Sequence, residues 1–224
     1  MRRAPYFKMS DAFSTNVDCV GVLFAGGQSR RMGGGDKSLR PLGGKPMIAH
    51  VIEMLRLQVD TLVINANGDP ARFAAFGLPV VPDRTADFAG PLAGVLAGMR
   101  WVQEHHPTAG WIATAACDTP FFPADLVAVL SSARQAAGAD IALAASNGQS
   151  HFVFALWPVE LADDLAAYLA EGERKVQRWI ERHAFVTVPF VPRMIGGTAV
   201  DPFFNINTPD ELAMAEAWLR KESA

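Results

Sequence analysis

Between residues 26 and 45 the chain places seven of its 19 glycines and five basic side chains, Arg30, Arg31, Lys37, Arg40 and Lys45, against one acid, Asp36. Five positive charges less one negative give this segment +4, within a chain of formal net charge −3. Glycines let backbone N–H groups approach and wrap an anion, and basic side chains neutralise it. A polyphosphate is the ligand that such a loop suits. Two common phosphate motifs are nevertheless absent. A Walker A loop needs Gly-Lys-Ser/Thr, whereas Asp36 precedes Lys37-Ser38 here. The dinucleotide fingerprint G-x-G-x-x-G is not present in Gly26-Gly27-Gln28-Ser29-Arg30-Arg31.

Further polar residues stand just beyond apolar runs. Asn65 closes the run from Thr61, Asp83 follows Pro79-Val80-Val81, and Asp118 follows the run from Gly110 to Ala116. A lysine such as Lys37 is a point charge able to grip a triphosphate and to stabilise charge building on a leaving group. The hard carboxylate oxygens of Asp118 suit Mg²⁺, which usually takes one or two carboxylates plus phosphate oxygens. The competing reading of Asp83 and Asn65 is turn formation. For Asn205 and Asn207, turn formation before a helix capped by Thr208 weighs as much as a place in the metal or phosphate shell.

These residues need elements to position them, and the pattern alternates strand and helix. Val20–Ala25 is a continuous apolar run of the kind that fits a strand buried on both faces of a parallel sheet. Pro46 opens a helix with apolar residues at Ile48, Val51, Ile52 and Leu55. Strands are expected over 61–64, 79–81, 110–116 and 140–144, with helices from Pro91 and Pro123. After that come a strand over 151–157, helices near 158–170 and 174–182, and an edge strand over 185–189, where Pro189 is tolerated. Thr208-Pro209-Asp210-Glu211 is a capping box that opens the last helix. The expectation is an α/β fold: a three-layer, doubly wound, mostly parallel sheet with a small antiparallel edge. A basic loop after the first strand then lies at the carboxyl edge, where open α/β sheets bind ligands. Residues 17–224 read as one domain and residues 1–16 as a flexible tail.

Phe24-Ala-Gly-Gly-Gln-Ser-Arg-Arg-Met-Gly-Gly-Gly-Asp-Lys37 resembles the nucleotide-binding signature of the sugar-phosphate nucleotidyltransferase superfamily. Its Gly-Gly-x-Asp-Lys form is most similar to the molybdenum cofactor guanylyltransferase family. Further matches are Gly43-Gly-Lys-Pro46, Asn65-Ala-Asn67, Asp83, Gly90-Pro-Leu-Ala-Gly94, Cys117-Asp-Thr-Pro120 and Phe204-Asn-Ile-Asn-Thr-Pro-Asp-Glu-Leu212. They run in order over about residues 19–215. The resemblance implies a Rossmann-like nucleotidyltransferase fold and transfer of GMP from Mg-GTP to the terminal phosphate of molybdopterin. It implies nucleotide contacts for Phe24, Ala25, Gly26, Gly27, Arg31, Lys37, Asn65, Asp83 and Asp118. Lys37 and Asp118 would be catalytic, and Asp118 would hold Mg²⁺. The implied partners are GTP, molybdopterin, other cofactor-biosynthesis proteins and the chaperones of client enzymes. The sequence departs from the family at His151-Phe152-Val153, where His-Pro-Thr is common, so no acceptor role is carried over to His151.

Cytidylyl transfer, transfer to a sugar phosphate, a non-catalytic guanine-nucleotide module and a dehydrogenase are the alternatives. With 50% hydrophobic and 19% charged residues the chain is not a disordered one, and its net charge argues against a nucleic-acid coat. Cys19 and Cys117 stand 98 residues apart, too few and too far for a disulfide framework or a zinc site. They read as core residues of a cytoplasmic protein. Trp157 and Trp179 read as core, and no apolar run is long enough to span a membrane.

Overall fold

Residue alternation in the first strand already specifies a layered molecule. In the computed structural model, which describes residues 18–26, 36–84 and 90–222, strand β1 (Cys19–Phe24) sends Cys19 and Leu23 to one face. Val20 and Val22 go to the other, and all four are buried. A strand covered on both faces needs helices above and below it. Strand β1 belongs to a seven-stranded sheet. In chain order its other strands are β4 (Thr61–Asn65), β5 (Val80–Val81), β6 (Trp111–Ala116), β7 (Ile141–Ser146), β8 (Gln149–Pro158) and β9 (Phe185–Pro189). The spatial order is β5-β4-β1-β6-β8-β7-β9. Strand β8 alone runs antiparallel to its neighbours, β6 and β7; all other pairs are parallel. The sheet is thus mostly parallel, as expected, and β9 with its Pro189 lies at the edge.

Helices α1 (Met47–Arg56) and α3 (Leu126–Ala137) cover the Leu23 face, through Ile48, Val51, Ile52 and Leu55 and through Leu126, Val129, Leu130 and Ala133. Helices α2 (Pro91–His105), α4 (Ala162–Ala170) and α5 (Val176–Ile180) cover the opposite face. Trp157 and Trp179 are fully buried there, 5.8 Å apart, with indole N–H groups donated to Thr114 Oγ1 and Asp164 Oδ2. They are core residues, as read from the sequence. Cys19 and Cys117 are likewise buried free thiols, and burial pushes both well above the ordinary thiol range.

Among the described residues the remaining antiparallel pairs form two short ribbons. One pairs β2 (Pro41–Leu42) with β3 (Lys45–Pro46) around Gly43-Gly44; the other pairs β10 (Arg193–Ile195) with β11 (Thr198–Val200) around Gly196-Gly197. All four glycines have positive φ, between 54° and 84°, the geometry that two-residue hairpin turns demand. Helix α6 (Pro209–Glu222) packs on both ribbons through Ala215, closing a third small core with Leu42, Met47, Ile195, Val200 and Ile206. Its capping box forms as read. Glu211 N donates to Thr208 Oγ1 at 3.2 Å, while Glu211 Oε2 accepts from the N–H groups of Thr208 and Asn207. The tail expected over 1–16 lies outside the described residues. Among the described residues no helix is long and apolar enough to cross a membrane.

Candidate active site

Parallel strands bring their carboxyl ends to one edge, and the polar residues beyond the apolar runs collect there. Past its last sheet residue β1 continues through Ala25, whose N–H donates to Asn65 O at 2.9 Å. On the other side Cys117 N donates to Phe24 O at 3.1 Å. These bonds carry the register of β1 beyond the sheet and set Ala25 beside Asn65 on one flank and Asp118 on the other. Gly26 is exposed. Gly27 and Arg31, read as nucleotide contacts, lie outside the described residues.

Lys37 begins a short 3-10 turn (Lys37–Leu39) and is buried. Its ammonium donates to Asp118 Oδ2 at 2.5 Å, Asn207 Oδ1 at 2.6 Å and Asn205 Oδ1 at 3.0 Å. An ammonium has three donors and no acceptor, so these three oxygens saturate it. Asp118 is held from the same side, because Ile206 N donates to its carbonyl at 2.9 Å. Both asparagines therefore belong to the Lys37–Asp118 cluster. The turn reading also holds, since Asn207 N donates to Glu211 in the cap of α6. Of the two roles the sequence offers Asn207, the turn before α6 is present, and its side chain bonds Lys37.

A carboxylate and two amide oxygens are hard donors of the kind that Mg²⁺ accepts. Among the described residues no group of three or more His, Cys, Asp or Glu could hold a metal ion. A divalent ion at this site would therefore take the rest of its oxygens from substrate, which fits a phosphate-bound metal rather than a protein cage.

A second cluster forms on the β4–β5 flank. Asn65 is buried, and its Nδ2 donates to Val81 O and to Asp83 Oδ1, each at 3.0 Å. Asn67 Nδ2 donates to Asp83 Oδ2 at 2.8 Å, and Asp83 N donates back to Asn67 Oδ1 at 2.8 Å. Arg72, from the 3-10 turn Pro70–Phe76, donates to Asn67 O at 2.5 Å and to Asp36 Oδ1 at 3.0 Å. Helix α2 comes close here: a Cβ at Gly94 would sit 2.4 Å from Asn65 Oδ1 and 2.8 Å from Phe24 Cε1. That contact explains a glycine in the first turns of an otherwise apolar helix.

The antiparallel direction of β8 brings its beginning to this same edge. Ser146 Oγ donates to Asp201 at 2.7 and 2.9 Å and lies 2.7 Å from His151 Nε2. The His151 ring stands 4.5 Å from that of Phe203. Burial holds His151 below the ordinary imidazole range, against the opposing pull of Asp201. Asp201 also accepts from Asn147 Nδ2 at 2.6 Å and from Phe203 N at 2.8 Å, and so anchors the start of the segment that carries Asn205 and Asn207.

Sequence reading had paired Lys37 with Asp118 in function, and the fold brings them together. Asn65 and Asp83 also meet, at the ends of β4 and β5 on the far side of β1 from Asp118. Asn67 stands in the Asn65-Ala-Asn67 match and Asp36 in the basic segment, but neither they nor Arg72 carry an assigned role in the sequence. The available signal was the spacing of Asn65 and Asn67, since residues two apart on extended chain share a face.

Residues 21–187 match the family described as "MobA-like NTP transferase domain". A molybdenum cofactor guanylyltransferase of Bradyrhizobium sp. (strain ORS 278) is 53% identical over 206 residues, covering 91% of this chain and 94% of that one. One from Rhizobium meliloti (strain 1021) is 50% identical over 201 residues, covering 88% and 90%. Among solved structures, molybdopterin-guanine dinucleotide biosynthesis protein A from Archaeoglobus fulgidus superposes with a TM-score of 0.67 at 26% identity, covering 91% of this chain and 99% of that one. A 4-diphosphocytidyl-2C-methyl-D-erythritol synthase from Anaerococcus prevotii shares the fold with a TM-score of 0.66 at 12% identity, covering 90% and 98%.

Proposed function

Because the chain belongs to the MobA-like NTP transferases, and among them to the molybdenum cofactor guanylyltransferases, we propose that it transfers GMP from Mg-GTP to molybdopterin. The chain is a nucleotidyltransferase, and its family generally works with a divalent metal. The terminal phosphate of molybdopterin attacks the α-phosphorus of GTP. One P–O bond forms, the bond to the β-phosphate oxygen breaks, and pyrophosphate leaves. The acceptor is already an anion, so no protein nucleophile is needed.

The observation that carries this reading is the buried ammonium of Lys37 against Asp118, at the carboxyl edge beside a glycine-rich basic segment. On entry of a triphosphate, Lys37 exchanges protein oxygens for phosphate oxygens and neutralises charge on the departing pyrophosphate. Asp118, with the amide oxygens of Asn205 and Asn207, would then hold Mg²⁺. When bound, that ion polarises the α-phosphate and neutralises phosphate charge. Phe24, Ala25 and Gly26 shape the floor of the site, with Gly27 and Arg31 assigned to the same loop from the sequence. Asp83 accepts the two N–H donors of the guanine edge, and Asn65 holds it in place. The acceptor arrives free or from a cofactor-biosynthesis protein and leaves to the chaperones of client enzymes. The two unpaired thiols support a reducing cytoplasm as the compartment.

Lys37→Ala and Asp118→Ala are each expected to lower turnover by about 10²–10³-fold while the circular dichroism spectrum stays unchanged. The measurement is transfer of radiolabelled GMP to molybdopterin. Normal transfer by either variant overturns the assignment. In thermal-shift comparison of the four nucleoside triphosphates with Mg²⁺, GTP should protect most; stronger protection by CTP overturns guanylyl transfer.

A further inference from the structure

We infer that Asn67 is the residue that sets nucleobase discrimination, by fixing the direction in which Asp83 presents its carboxylate, and that Arg72 ties this arrangement to the phosphate end of the site. The inference rests on the guanylyl-transfer reading, in which Asp83 meets the guanine edge.

Asn67 is exposed, yet both ends of its amide are spent on one residue. Its Nδ2 donates to Asp83 Oδ2 and its Oδ1 accepts from Asp83 N, both at 2.8 Å. A solvated asparagine gains little stability from one such ring of bonds, but the ring leaves its partner little freedom to rotate. Asn65 supplies the other constraint, donating to Asp83 Oδ1 at 3.0 Å. Each carboxylate oxygen has two lone pairs. With one N–H donor on each oxygen, one acceptor direction per oxygen remains. That number matches the two donors, N1–H and the 2-amino group, that guanine offers on one edge and hypoxanthine only half offers. A site built around a particular pair of donors rejects an analogue lacking one, because an acceptor that the base covers is left unmatched.

Arg72 extends the device. Its Nη2 donates to Asn67 O and its Nη1 to Asp36 Oδ1, next in the chain to Lys37. Its guanidinium lies 4.9 Å from the Phe73 ring centroid, which limits its swing. The base-reading turn and the lysine that grips the triphosphate are therefore joined by one side chain. Arg72 is a positioning residue, acting through Asn67 and Asp36.

The test uses the full chain with molybdopterin and Mg²⁺, comparing GTP with ITP, which lacks the 2-amino group. For Asn67→Ala, the ratio of kcat/KM for GTP to that for ITP should fall about tenfold, the worth of one oriented hydrogen bond. The loss should sit in KM, with kcat at saturating GTP held within about threefold. An unchanged ratio, or an equal loss for both nucleotides, overturns the inference. Asn67→Asp provides a second readout that does not depend on the alanine variant folding well. It sets a carboxylate against Asp83, and two like charges so close share a proton to higher pH than either would hold alone. The shared proton restores the bridge. Among the described residues the charged groups near this turn are Asp83, Asp69, Asp36, Arg72 and Arg84; Arg84 is paired with Glu104, so Arg72 is the positive charge bonded to the turn. Discrimination by this variant should be near normal at acid pH and fall as pH rises; a pH-independent ratio overturns the inference. Parent protein that does not prefer GTP to ITP or CTP instead overturns the guanylyl reading, and is recognised before any variant is measured.

Discussion

Lys37 has three N–H donors and finds three oxygens, two of them on residues that a second bond holds. Asp118 O accepts from Ile206 N, and Asn207 N–H donates to Glu211 Oε2 beside the Thr208 cap of α6. A substitution at Asn207 consequently acts on charge and geometry together. Asn207→Asp keeps the size and the cap while adding a carboxylate to a pair, Lys37 and Asp118, that is otherwise balanced. The KM for GTP is expected to rise on the order of tenfold or more, from the cost of placing a second negative charge near a triphosphate. Steady-state kinetics against Asn205→Ala, which removes an oxygen without adding charge, separates the two causes. An unchanged KM in Asn207→Asp would leave this side chain no part in nucleotide binding. At this scale much of the site was legible. Asp83 and Asp118 stand out because a charge just past an apolar strand must lie at the sheet edge, and Lys37 because it sits in a glycine-rich basic segment. Asn205 and Asn207 remained ambiguous because an asparagine before a capped helix has a sufficient local reason to be there. Asn67 and Arg72 were not legible as functional residues, since their meaning lies in what they orient rather than in their own chemistry.

Helix α2 shows how an element, rather than a residue, sets the geometry. It approaches β1 and β4 closely enough that a methyl at Gly94 would collide with Asn65 and Phe24, and one at Gly98 with Val22, 2.7 Å away. Gly94→Ala and Gly98→Ala should each cost about 1–3 kcal/mol of stability, because a well-packed core must shift to admit the carbon. Only Gly94 lies against the nucleotide flank. Its alanine variant should also lose GTP affinity by isothermal titration, while Gly98→Ala should keep it. Loss of affinity in both would place the effect in global stability. Apolar runs and their glycine and proline boundaries made the strands and helices readable. Helix α3 begins at Leu126 rather than at Pro123, with Asp125 at its cap. The direction of β8 was hidden because a strand buried on both faces looks the same in either orientation. The β10–β11 ribbon had a signal, Gly196-Gly197 between short β-forming stretches, that the sequence reading passed over.

The whole molecule carries two imidazoles whose state depends on its being folded. Burial, the largest influence on each, lowers His50 and His151 from the ordinary value of 6.5; His50 Nε2 lies 2.7 Å from Leu42 O. The unfolded chain therefore binds more protons than the folded one between the lowered values and 6.5. Stability from this source is complete above 6.5 and is lost as pH falls through the folded values. Tm measured from pH 7.5 down to pH 5 should decline, and the double variant His50→Gln, His151→Gln should decline less steeply; parallel slopes would assign the decline to the carboxylates. One further consequence follows from where the three oxygens around Lys37 lie in the chain. They are 81, 168 and 170 residues downstream of it. A ribosome that has made every strand of the main sheet has yet to make two of them. Nascent protein can thus hold every strand of that sheet while the Lys37 cluster still lacks its two amide oxygens, which arrive with the segment between β11 and α6.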